Sequence, residues 1–555
     1  MGRARTIGVT SSLLGAGLLL ADCQGLPGIT SLPSGSTGSG SLSALAAGGG
    51  ALPTVTPIPA DAGEHGYPFD AVPTTPLYPG APTIDLAADG YVQKEFLLSG
   101  TDDVYGRSGA WASNGDWQVP VAEANVLYTT RFLVRYPTNP AKFNGTVVVE
   151  WLNDSTGADV DPVWAEDASE LLADGYAYVG VTAQRAGMED LKTWDSERYG
   201  SLGDQSDGQS YGIFTQAAEA IRAGAATILG GLDPKDLIAA GDSQSAFRLT
   251  TYVNAFEPLT HAYDGFLLVG RSVTAAPRGS GLLSTSPAPA SIWSNPGAPV
   301  LEVNTQGDVE EFGASLALQP ATNKLRIWEV AGASHIDDHE ASYELETLAR
   351  EEPSVPAPSC LLGTPIGGVS PLVNGLNQAD NMPLYQAEQA ALADLQRWVT
   401  SGVPAPAEQS PLSTTSVLGG AVQVVNTNQF GLASGGVELP QAQVPTEYSS
   451  PINVSTLDLE DLSPLTLFQD LTAELDFFTE GALPITDTAA RNEGLCLLSG
   501  SFLALPAAEL AQLYPTHPDY VAKVTAAAEA DEAAGFLTPT DAAQDIAAAQ
   551  ASSIP

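Results

Sequence analysis

Basic residues are scarce. Only 21 Lys and Arg stand against 65 Asp and Glu in 555 residues, a net charge of 21 − 65 = −44. A field of that sign repels nucleic acid and anionic lipid, so neither is expected as a partner. The acidic residues are scattered rather than run together, as on a solvated surface. Histidine is rarer still, at five, so histidine-dependent chemistry has a short roster of candidates. Cysteine is rarer again, with Cys23, Cys360 and Cys496. No internal repeat is visible. What the chain does have is 44% hydrophobic residues and 15% charged ones, the balance of a globular protein with room for more than one domain.

The first residues read "MGRARTIGVTSSLLGAGLLLADCQG". Arg3 and Arg5 precede an apolar stretch from Ile7 to Ala21, the pattern of a signal peptide over 1–23. The stretch is too short and too soon interrupted to span a membrane, and none is expected in the mature chain. "LLLADC" resembles a bacterial lipoprotein cleavage box, with Cys23 as the residue that would carry a lipid anchor and Asp22 where the box takes a small neutral residue. Export leaves Cys360 and Cys496, an even remainder that invites a disulfide; two separate buried thiols are the alternative. Residues 24–60 are rich in Gly, Ser and Pro and are expected as a flexible tether.

Residues 61–405 carry a different texture. "YVQKEFLLSG" and "VLYTTRFLVRY" alternate apolar and polar residues, as half-buried strands do. Short apolar runs follow: "TVVVEWL", "YAYVGVTA", "DLIAAG", "YDGFLLVG", "APVLEVNT" and "KLRIWEVA". Helix-like stretches lie between several of them, which predicts an α/β fold with a mostly parallel sheet and helices on both faces. "PLYQAEQAALADLQRWVTSG" closes this core as a helix with Gly402 as its stop. Residues 406–555 are expected as a C-terminal extension packed on the core. Near its end Thr538, Pro539 and Asp541 predict a helix start.

Two serines compete for chemistry. "GQSYG" around Ser210 fits the hydrolase pattern letter for letter, but no strand precedes it. "LIAAGDSQSAFRLTTY" delivers Ser243 from a buried-strand run into an amphipathic helix. A strand-to-helix turn exposes the hydroxyl at a helix N-terminus, and Gly241 and Ser245 are the small flanks it requires. Ser243 is therefore the candidate nucleophile, with a plain helix N-cap as the bland alternative. In this arrangement the order along the chain is serine, acid, histidine. Order excludes His65 and His261, and His517 lies far into the extension. His335 follows "KLRIWEVA" by a short loop and is the candidate base. Asp308, in the turn after "APVLEVNT", is the candidate acid, with Glu310 and Glu311 as neighbouring competitors. The amide of Gln244 and one from the loop after the third core strand, Asn153 or Asp154, would form an oxyanion hole.

With these residues assembled, the chain resembles the bacterial "alpha/beta hydrolase domain" family of the α/β-hydrolase superfamily. The matching pieces are "FNGTVVVEWLN", "ERYGSL", "IAAGDSQSAFRLTTYVNA", "YDGFLLVGR", "VAGASHID", "GGVELPQAQVP" and "HPDYVAKV", spanning about 90 to 540. The resemblance implies an α/β-hydrolase fold, Ser243 as nucleophile, His335 as base and Asp308 as acid. The loop after Asn153 departs from the pattern, reading "DSTGAD" where relatives tend to have a Val-Ser-Gly-Gly-like run.

The expectation is an exported serine hydrolase of small carboxylic esters, without cofactor or metal. Two rivals remain at this stage. His335 and His339, four apart, could share a helix face in a metal-dependent hydrolase. A non-catalytic binding protein could use the same fold. Residues 271–298 lie where such folds insert a lid, with Trp293 as a candidate pocket wall.

Overall fold

The computed structural model describes residues 52–65, 84–106, 111–155, 158–204, 206–276, 287–351, 379–417, 422–452 and 495–555. Cys23 and Cys360 lie outside them. Nine strands form the main sheet: β1 (Thr54–Ile58), β2 (Tyr91–Tyr105), β3 (Val121–Pro137), β4 (Thr146–Trp151), β5 (Ala177–Val181), β6 (Asp236–Asp242), β7 (Gly265–Val269), β8 (Val300–Thr305) and β9 (Leu325–Val330). Their spatial order is β1-β2-β3-β5-β4-β6-β7-β8-β9. Pairing is antiparallel from β1 through β3 to β5, and parallel from β5 onward to β9.

The apolar runs become strands because both sheet faces are covered. Every residue of β4, β5, β7 and β8 is buried. Alternate residues divide between two cores. Val147 and Val149 pack with Ile213, Phe214 and Leu249, whose helices are Ser210–Ile228 and Gln244–Ala255. Val148 packs with Val163, Leu392 and Leu395, from Pro162–Ala173 and Leu384–Ser401. The last of these helices ends at Gly402, whose left-handed φ of 72° lets the chain turn away as expected. The chain steps from β4 to β5 on one side and then to β6 on the other. That reversal opens a crevice at the carboxyl ends of β4 and β6, where open parallel sheets bind ligands.

The tether is shorter at its C-terminal end than expected. Thr54–Ile58 pairs along β2 as an edge strand, and Ile58 is buried. Pro57 masked it in the sequence, but a proline is tolerated on an edge, where one side of the backbone needs no partner. The C-terminal extension bears on the same core. Val437 forms a parallel bridge with Val330 at the end of β9, and Ala528, Leu537 and Ala542 join the core that contains Leu392. Thr538 caps Pro539–Ala551 by accepting from the Asp541 N–H. Among the described residues no helix is long and apolar enough to cross a membrane.

Buried charge is paired across layers. Arg135 of β3 donates to Asp161 at 2.8 Å and lies 4.1 Å over the Trp164 ring, tying the antiparallel strands to the helix Pro162–Ala173. Both side chains are essentially inaccessible. Arg135→Met is expected to cost about 3–5 kcal/mol, because it strands a buried carboxylate. Urea denaturation of the two proteins checks this.

Candidate active site

Ser243 joins β6 directly to the helix Gln244–Ala255 with φ 52° and ψ −117°. A side chain other than glycine pays for such a backbone, on the order of 1–3 kcal/mol, and surrounding structure must hold it. Here the Ser243 N–H donates to the Val269 carbonyl at 2.9 Å, and the Ser243 carbonyl accepts from Phe247 N–H at 3.1 Å. Strand pairing and helix thus continue on either side of the strained residue. A Cβ on Gly241 would lie 2.9 Å from the Ser245 Cβ, so the small flanks are a steric requirement.

The acid comes from the end of β8. Thr305 caps the short helix Gln306–Glu311, accepting from Asp308 N–H at 2.9 Å. Asp308 returns the bond, its Oδ2 accepting from Thr305 N–H at 2.7 Å. The other oxygen, Oδ1, lies 2.6 Å from His335 Nδ1. His335 sits in the loop after β9, and its Nε2 is 2.9 Å from Ser243 Oγ. The three side chains therefore form one continuous hydrogen-bonded line from three different strand ends. Glu310 and Glu311 do not share it: Glu310 accepts from Gln306 at 3.0 Å instead. With the carboxylate ionised, Nδ1 donates to Asp308 and Nε2 accepts the serine hydroxyl proton.

Burial opposes a charged imidazole, yet Asp308, by charge and hydrogen bond, holds the His335 pKa above its ordinary value, and Asp242 and Glu344 add to the rise. Burial pushes the Asp242 carboxyl up to about 7, partly offset by His335. Phe312 meets the His335 ring edge-on at 4.9 Å, and Phe247 stands perpendicular to Phe312 at 6.4 Å. Gly270 follows β7 with φ 61°; a Cβ there would lie 2.7 Å from His335 Cε1. The sequence reading passed over Gly270, although a glycine closing an apolar strand is a readable sign of close approach.

The loop after β4 needs a correction. Asn153 N–H is already spent on the Val160 carbonyl at 3.0 Å, so it is no free backbone donor. Its side chain instead donates to the Asp242 carbonyl at 3.2 Å, lacing the loop to the elbow. Asp154 N–H donates to the elbow residue Gln244 through Oε1 at 3.4 Å, and its carboxyl accepts from Gln184 at 2.8 Å. Burial and Asp207 push that carboxyl up to about 7.

The competing residues fall elsewhere. Ser210 opens a helix and donates to the Asp207 carbonyl at 2.6 Å. His339 does not share a helix with His335, since the helix starts at Asp338; it stacks on Tyr385 at 4.6 Å, and burial lowers its pKa. Among the described residues no three His, Cys, Asp or Glu side chains group as metal ligands. The Trp293 backbone lies away from this site. Its N–H binds Asn254, ten residues along the helix from Gln244, about 15 Å at 1.5 Å per residue. The earlier part of that segment does border the site, with Val273 N–H on the Phe312 carbonyl at 3.0 Å. Cys496 is buried and disulfide-bonded.

The family model described as "Alpha/beta hydrolase domain" matches residues 55–464 and 480–547. Comparison with curated proteins finds no match. Similar solved structures include the carboxylesterase Cest-2923 from Lactobacillus plantarum, 15% identical over 36% of this chain and 78% of that one, with a TM-score of 0.24. A thermostable esterase from Pseudomonas putida is 15% identical over 42% of this chain and 69% of that one, at 0.27. An alpha-beta serine hydrolase homologue from Coxiella burnetii is 15% identical over 40% and 90%, at 0.24.

Asp308→Asn is expected to lower the His335 pKa, because the partner that favours the imidazolium is neutralised while burial persists. An NMR titration of the histidine ring protons measures it. Gly270→Ala is expected to displace the imidazole and to cost about 1–3 kcal/mol of stability. Denaturant unfolding and the same ring-proton shifts report both effects.

Proposed function

Since this chain belongs to the alpha/beta hydrolase domain family, we propose that it is a serine-dependent hydrolase of small carboxylic esters. The observation that carries the reading is the line Asp308–His335–Ser243, with separations of 2.6 and 2.9 Å, starting from a strained elbow. His335 Nε2 takes the hydroxyl proton as Ser243 Oγ attacks the ester carbonyl. Asp308 keeps Nδ1 protonated and stabilises the imidazolium that forms. The backbone N–H of Gln244 receives the developing oxyanion, joined by that of Asp154 once the oxyanion displaces Gln244 Oε1 as its acceptor. His335 then returns the proton to the leaving alkoxide, which departs as the alcohol. In the second half His335 deprotonates a water that attacks the acyl-enzyme, and the acid product leaves with Ser243 restored. The apolar edge made by Phe247, Phe312 and Val273 suits the hydrophobic part of such a substrate.

Export is part of the same proposal. The apolar leader directs it, Cys23 is the candidate for a lipid anchor, and the disulfide at Cys496 suits an oxidising compartment.

Labelling with a fluorophosphonate probe, followed by peptide mapping, is expected to mark Ser243. Ser243→Ala should abolish the label and lower kcat for a p-nitrophenyl ester by roughly 10⁴- to 10⁶-fold. Label on another serine, or undiminished turnover in the variant, would remove the assignment. Only the neutral imidazole accepts a proton, so kcat/KM should rise with pH through the His335 pKa. That midpoint is expected above 6.5, because Asp308 raises it.

A further inference from the structure

The β8–β9 pairing ends at Thr305 and Val330. Beyond it one chain runs towards Asp308 and the other towards His335, joined by one backbone bond from Gly307 N–H to the Ala333 carbonyl at 3.1 Å, and the proposed reaction depends on their remaining in register. Gln306 lies between them and is fully buried. Its Oε1 accepts from Gly332 N–H and from Ala433 N–H, each at 2.9 Å. Its Nε2 donates to the Gly431 carbonyl and to Glu310 Oε1, each at 3.0 Å. Those four bonds use the full capacity of the carboxamide. Gly332 belongs to the loop that carries His335; Gly431 and Ala433 belong to the C-terminal extension. The same extension grips the histidine loop at further points. Ser449 Oγ donates to the Gly332 carbonyl at 3.1 Å, and Ile336 N–H donates to the Leu498 carbonyl at 3.2 Å. Leu498 is two residues from the disulfide-bonded Cys496.

We infer that Gln306 is a positioning residue, through which the C-terminal extension sets the register between the acid turn and the base loop. It touches neither substrate nor reacting atoms. Its effect passes through Asp308 and His335, so the inference rests on the hydrolase reading. A catalytic group displaced by about 1 Å costs on the order of 10²-fold in rate, so a bridge of this kind has kinetic weight.

The test compares the full-length protein with Gln306→Met, which keeps the volume and loses all four bonds, and with Gln306→Glu, which keeps an acceptor for Gly332 and Ala433. Thr415→Ala, exposed on the extension and remote from these bonds, serves as a control. Gln306→Met is expected to lower kcat by roughly 10- to 100-fold with KM within about twofold. The acid limb of its pH profile should move to lower pH. The groups facing His335 are Asp308, Asp242 and Glu344, and a looser Asp308 supports the imidazolium less. Gln306→Glu should lose activity as well, because its second oxygen meets the Gly431 carbonyl and Glu310 Oε1 where Nε2 donated, and Thr415→Ala should match wild type. Unchanged kcat and pH profile in Gln306→Met overturn the inference while leaving the hydrolase reading intact. Wild-type protein without label at Ser243 overturns the hydrolase reading itself. Native-state hydrogen exchange on wild type decides the coupling even if the variants do not fold. The amides of Gly332, Ala433, Thr305 and Asp308 should open together; an Ala433 amide exchanging orders of magnitude faster than Asp308 would end the proposal.

Discussion

Asp308 does two jobs with two oxygens, and the candidate site depends on their being inseparable. Oδ2 closes a capping box with Thr305, and Oδ1 meets the imidazole. The carboxylate cannot rotate away from His335 without giving up its bond from Thr305 N–H. Orientation of the carboxylate is thereby fixed by a local backbone motif. One rotamer of Asp308 thus serves both the helix start and the imidazole.

Five of the 21 cations of this acidic chain are spent inside it. Arg131, Arg135, Arg198, Arg248 and Arg271 are all buried, and each faces a carboxylate: Glu95 or Asp159, Asp161, Glu95, Asp207 and Glu302 in turn. These pairs join strand to strand and strand to helix around the crevice. Arg271 also donates to the Ala290 carbonyl, fastening the far end of the segment that begins beside Phe312. Among the described residues buried Asp and Glu outnumber the buried arginines, so the interior takes up part of the net negative charge, and what remains still leaves the surface acidic. A neutral or cationic small molecule approaches such a surface more readily than a polyanion.

Much of this was readable in the sequence because it rests on short-range pattern. Buried strands announce themselves as apolar runs, and an elbow requires small residues at fixed offsets, so Ser243, its sheet and its helix followed. Asp308 and His335 could be found because their strands were visible and chain order left few candidates. What escaped depends on partners remote in sequence or on the direction of one bond. Asn153 was placed in the right loop, but nothing in the residue type says that its N–H already belongs to Val160. Pro57 hid an edge strand whose existence depends on β2. Trp293 was assigned to a wall from its position in a Pro/Ser-rich stretch, while its actual place is fixed by Asn254 at the far end of a helix. Gln306 carries no sequence signal at all; its meaning appears only when Gly332 and Ala433 converge on one oxygen.

The bridge at Gln306 has a temporal corollary. Synthesis runs from the amino end, and nucleophile, acid and base have all left the ribosome well before Gly431 and Ala433 do. Until those residues arrive, the carboxamide has no carbonyl from the extension to donate to, and its oxygen lacks one of its two donors. The end of β9 likewise stays open until Val437 lies against Val330. On the inferred role of Gln306, the Asp308–His335–Ser243 line is thus completed only late in biogenesis, after all three of its residues have been made.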